Sequence, residues 1–121
     1  MFNNDYIMRA IEDLSYMLAK VIFNKDVTAN EIIDEQGNFS ESNFLYHQLL
    51  KKVDEGKINE AENLLFESVG NNPSPEYLKV AIDFYTGLEK LSDAYLISCE
   101  FPREEILDGL NSINAIYKSK E

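Results

Sequence analysis

Positive charge, sulfur and imidazole are scarce in this chain, and each scarcity removes a class of function. Lys and Arg number 11 against 22 Asp and Glu, a formal net charge of -11. Phosphate backbones and anionic lipid surfaces repel such a chain, so neither nucleic acid nor membrane is an expected partner. Cysteine occurs once, at Cys99, which excludes a disulfide or a thiolate metal cage within one chain. Its neighbours Leu96, Ile97 and Phe101 mark it as a small core side chain, and Glu100 supplies the wrong charge for a reactive thiolate. His47 is the sole histidine, and no carboxylate stands at 43, 44, 50 or 51 to complete a metal site on a helix. The five glycines are isolated, so no loop is built to cradle phosphate. No apolar run is long enough to span a membrane. The N-terminal residues carry Asp5, Glu12 and Asp13 without a cationic region before an apolar run, unlike a secretory leader. The expected location is the reduced cytoplasm, with no cofactor.

What remains is a helical chain. At 121 residues, 45% of them apolar, it reads as one helical domain spanning residues 1–121. Residues 5–24 predict a long amphipathic helix, with Asn4 placed to cap it and Asp5 in its first turn. Ile7, Ile11, Leu14, Leu18 and Val21 alternate by four and three, the spacing of a heptad seam. Residues 26–39 read as an acidic linker. From Asp26 to Leu50 there are five acids and no Lys or Arg. A second helix is expected after Ser40 to about Glu55, stopped by Gly56. A third follows Asn59, whose pairing with Glu62 matches a capping box. Ser74-Pro75 opens a fourth and Ser92 caps a fifth, which is expected to bury Ala94, Tyr95, Ile97 and Phe101. A sixth starts at Pro102, with Ile106, Leu110, Ile113 and Tyr117 as its stripe.

The chain also echoes itself. Lys57-Ile58-Asn59-Glu60-Ala61 recurs thirty-three residues later as Lys90-Leu91-Ser92-Asp93-Ala94. At the same offset Leu45 maps to Leu78, Leu49 to Ile82 and Ala61 to Ala94. Small alanines let paired helices approach closely. Leu45, Leu49, Gly56, Ala61, Leu65 and Pro73 sit near the large, turn, small and terminal-proline places of the tetratricopeptide repeat, which residues 42–102 resemble in degenerate form. Lys52, Glu89 and Glu105-Ile106 depart from that pattern. The implied architecture is all-α: a long N-terminal helix, two tetratricopeptide-like helical hairpins over 41–102, and a capping helix at 103–119. The last helix is expected to cover one end of the stack, and helix 5–24 the other end or a second copy of itself.

Separately, the run Asn4 to Leu14 with Leu18-Ala19-Lys20, and the block Gly56 to Phe66, are similar to a family of small bacterial proteins, mostly from Firmicutes, that has no assigned function. That resemblance implies an all-helical fold and no activity.

The expected function is non-catalytic: a protein- or peptide-interaction module whose groove lies between helix 41–55 and helix 75–88. Asn43, Tyr46, His47, Leu50, Lys79, Asp83 and Thr86 are its candidate lining. The acid excess favours a basic segment as partner, and Lys51 and Lys52 offer a place for an acidic end. An alternative is a structural homodimer joined along Ile7, Ile11, Leu14, Leu18 and Val21. An enzyme using clustered carboxylates and a divalent metal is least favoured. Glu60/Glu62 and Glu104/Glu105 lie too close in sequence to share a helix face, and first-turn acids complement helix dipoles.

Overall fold

A computed structural model of the chain describes residues 4–24 and 41–119. The expected linker at 26–39 lies outside the described residues. Those residues form six helices and no strand: α1 Asn4–Asn24, α2 Glu41–Asp54, α3 Ile58–Asn71, α4 Pro75–Glu89, α5 Asp93–Ser98 and α6 Arg103–Lys118.

Local chemistry sets most of the boundaries. Gly56 takes φ 77°, and the amides of Gly56 and Lys57 return to the carbonyls of Val53 and Lys52 at 3.0 and 2.8 Å. That is a Schellman turn, and it folds α3 back against α2 as an antiparallel hairpin. The Ser74 hydroxyl accepts the Tyr77 amide at 3.1 Å, with Pro75 in the first turn. Ser92 accepts the Tyr95 amide in the same way at the start of α5.

α4 is the centre of the molecule. Leu78, Val80, Ala81, Ile82, Phe84, Tyr85 and Leu88 are all buried and cover more than half of its circumference, as a helix packed on several neighbours requires. It packs on α2 and α3 and also on α1 and α6, which contact one another. One apolar cluster runs from Ile7 and Ile11 through Leu49, Ile58 and Leu65 to Leu96, Phe101 and Ile113.

Five expectations change. Asn4 is the first residue of α1 rather than its cap. The capping box at Asn59 and Glu62 does not form: α3 begins two residues earlier than that cap implies, at Ile58, without a side-chain cap. Both side chains have tertiary partners instead. Asn59 donates to the carbonyls of Cys99 and Glu100 at 3.4 and 3.2 Å, and Glu62 accepts a hydrogen bond from α4. The two repeat alanines are not equivalent either, since Ala61 is fully buried and Ala94 is exposed. α5 has six residues; it buries Leu96 and leaves Ile97 66% exposed. It stops because Glu100 adopts φ 57° and the Phe101 amide returns to the Leu96 carbonyl at 2.9 Å, the same turn that ends α2 but without a glycine. So short a helix offers α6 no broad apolar face. Accordingly α6 folds onto α4 beside α1, and the two helices expected at opposite ends share one side of α4.

Candidate functional site

α2 and α4 run in the same direction. Glu41, at the start of α2, acts electrostatically on Tyr77 near the start of α4, and Asp83 acts on Tyr46 between one and two turns further along both helices. Between them lies a cleft, open to solvent, lined by Ser42, Asn43, Tyr46, Glu76, Lys79, Val80 and Asp83. The helical period produces this lining. On α4 the positions 76, 79, 80 and 83 fall on one face, and 42, 43 and 46 do so on α2.

Val80 and Ser42 are buried and form the closed side of the cleft. Lys79 donates to Asp83 at 2.6 Å across one helical turn, both side chains about two-fifths exposed. Partial burial raises the Tyr46 hydroxyl above its usual range, with Asp83 adding to the shift and Lys79 opposing it. Tyr46 is therefore a neutral phenol at physiological pH, able to donate and to accept.

Four of the seven residues chosen from sequence come together here: Asn43, Tyr46, Lys79 and Asp83. His47 and Leu50 are exposed on α2 outside the cleft, and the Thr86 hydroxyl bonds back to the Asp83 carbonyl at 3.3 Å. Ser42, Glu76 and Val80 were not among the candidates. In the sequence they pass for a first-turn hydroxyl, a dipole-complementing acid and a core residue. The i, i+3, i+4, i+7 spacing of 76, 79, 80 and 83 is the signal that joins two of them to the lysine and the aspartate.

The proposed dimer seam is occupied by the chain's own helices. Ile7, Ile11 and Leu18 are buried where α1 meets α4 and α6, and Leu14 is half-buried against the same core. The Val21 side chain lies outside the described residues. A heptad spacing identifies a face to be covered, and here the cover is intramolecular.

Glu62 lies within electrostatic reach of Glu105 and Asp108, which with burial raises its carboxyl above the ordinary range, while the Tyr85 hydroxyl, donating at 2.6 Å, opposes the rise. Among the described residues no three His, Cys, Asp or Glu side chains are grouped as a metal site needs. Arg103 is also structural. Its guanidinium donates to Asp93 at 2.8 Å and to the carbonyls of Glu89 and Leu91 at 2.7 and 2.9 Å, satisfying the C-terminal end of α4.

A family model, "Family of unknown function (DUF6483)", matches residues 1–118. The chain belongs to that family. No curated protein and no solved structure matches it. Among the described residues no helix is long and apolar enough to cross a membrane. The likeness therefore extends over α1 to α6 and carries no activity across with it, so the chemistry of the cleft is the basis for a functional proposal.

Proposed function

We propose that this DUF6483 protein is a non-catalytic, cytoplasmic interaction module of bacterial origin that binds an extended polypeptide in the groove between α2 and α4. One observation carries the proposal: two parallel helices leave a cleft that holds a neutral phenol, an amide, an ion pair and a further carboxylate above a buried valine. Peptide grooves combine an apolar floor with a few convergent polar groups in this way. The lining runs from Glu76 to Asp83, about 10 Å along α4, room for roughly three residues of extended chain.

The order of α2 to α5 supports a degenerate tetratricopeptide-like unit, because two first helices lie parallel and the second returns antiparallel to its own partner. The exposed Ala94 marks the unit's weaker half. Dimerisation along α1 is not favoured, since its apolar seam already faces α4 and α6.

Titrating peptides into isotope-labelled protein tests the groove. Amide shifts clustered on Asn43, Tyr46, Lys79 and Asp83 are the expected result. Peptides that bind but shift only other residues would remove the groove from consideration.

A further inference from the structure

We infer that the cleft between α2 and α4 is an anchor pocket for one cationic side chain, Lys or Arg, of the bound peptide; the inference rests on the groove proposed above. The lining holds two carboxylates, Glu76 and Asp83, against one ammonium, Lys79. A third carboxylate, Glu41, stands close enough to Tyr77 to perturb it, at the same end of the groove. Lys79 does not use up Asp83, because an ionised carboxylate offers about four lone-pair sites and one contact at 2.6 Å occupies one of them. The pair is also open to solvent, and such pairs are held weakly, so an incoming cation can share or replace Lys79 at little cost.

The field in the cleft agrees with the count. After burial, Asp83 acts on the Tyr46 hydroxyl more strongly than Lys79 does. The N-terminal ends of α2 and α4 both point partial positive charge toward this end, and first-turn Glu41 and Glu76 offset it.

The apolar parts fit the same ligand. Lys and Arg carry a hydrocarbon stem below the charged head. Val80 and the Tyr46 ring give that stem a surface, and the ring face also attracts a cation. An acidic side chain would have to separate Lys79 from Asp83 and then lie beside Glu76.

A displayed library of random decapeptides, selected in parallel on the native protein and on the Glu76→Gln/Asp83→Asn double variant, tests the inference. Both substitutions lie at half-buried positions outside the apolar core, and a thermal melt checks that the variant is folded. The expected result is enrichment of Lys or Arg at one peptide position on the native protein and its loss on the variant. In fluorescence anisotropy, changing that peptide residue to Gln should weaken binding to the native protein about tenfold, and binding to the variant less than twofold. Selected peptides that shift Asn43, Tyr46, Lys79 and Asp83 without a basic preference, or bind the variant equally well, would overturn the anchor and leave the groove standing. Failure to select any peptide that shifts those residues would overturn both.

Discussion

At the scale of single residues, two backbone positions carry unusual weight. Gly109 on α6 lies directly under the Tyr85 hydroxyl, so a side-chain carbon at 109 would occupy the space of that oxygen and ring. Tyr85 is fully buried and donates to Glu62, so displacing the ring disturbs both its packing and that hydrogen bond. Gly109→Ala is expected to destabilise the protein by about 2–3 kcal/mol, the sum of overpacking and a damaged buried hydrogen bond. Urea unfolding measures it, and a loss below about 0.5 kcal/mol would show that α6 can slide away from Tyr85. Glu100 is the opposite case. It holds φ 57° without being a glycine, a conformation that costs an L-residue about 1 kcal/mol. Glu100→Gly should therefore raise stability by roughly 0.5–1 kcal/mol, read as a higher denaturation midpoint at unchanged slope.

At the scale of helices, capping chemistry and apolar stripes were legible in the sequence, while the choice of partner helix was not. Ser74-Pro75, Ser92 and Gly56 mark boundaries because their effects act within one turn. Asn59 and Glu62 satisfied the same local rule and still went elsewhere, because tertiary acceptors and donors from the α5 turn and Tyr85 competed successfully for them. The Ile7–Leu18 seam was correct as a buried face, but periodicity cannot say whether the cover is α4 with α6 or a second molecule. In the cleft, α2 and α4 were identifiable as neighbours from the thirty-three-residue echo, and so Asn43, Tyr46, Lys79 and Asp83 were named together. His47, Leu50 and Thr86 were misplaced because the echo sets the helices side by side without fixing their rotation. A charge within the seam distinguishes the two covers. Ile11, fully buried, should give upon Ile11→Asp a protein that unfolds, with a loss of about 3–5 kcal/mol, rather than a folded monomer released from a dimer. Light scattering with far-ultraviolet circular dichroism separates these outcomes.

At the scale of the whole molecule, excess acid should make stability depend on pH in a definite direction. Burial raises the Glu89 carboxyl above its ordinary value of 4.5, Glu12 adds to the rise through its charge and a shared hydrogen bond, and Arg103 and Lys90 oppose it. Glu62 is raised as well. A carboxyl whose folded pKa exceeds its unfolded one binds its proton more tightly in the folded state. Its stabilisation is present below about pH 4.5 and is lost as pH rises through the folded value. Repulsion within a chain of net charge -11 acts in the same direction. Unfolding free energy should thus fall as pH rises from about 4.5 toward neutrality. Glu12→Gln should flatten that fall and raise the melting temperature near neutral pH; a profile identical to the native one would show that Glu12 and Glu89 do not share a proton.

The central place of α4 has a consequence for how the polypeptide can be divided. α1 packs on α4 and α6 more than on α2, the described helix that follows it in sequence, so peptide connectivity and packing are separable there. A cut between residues 24 and 41 should yield two pieces that recombine without a covalent bond, with the shorter one reconstituting the far wall of the larger. Mixing the two synthetic fragments and following recovery of cooperative melting is the direct check. Recombination would make the first helix an exchangeable subunit in miniature.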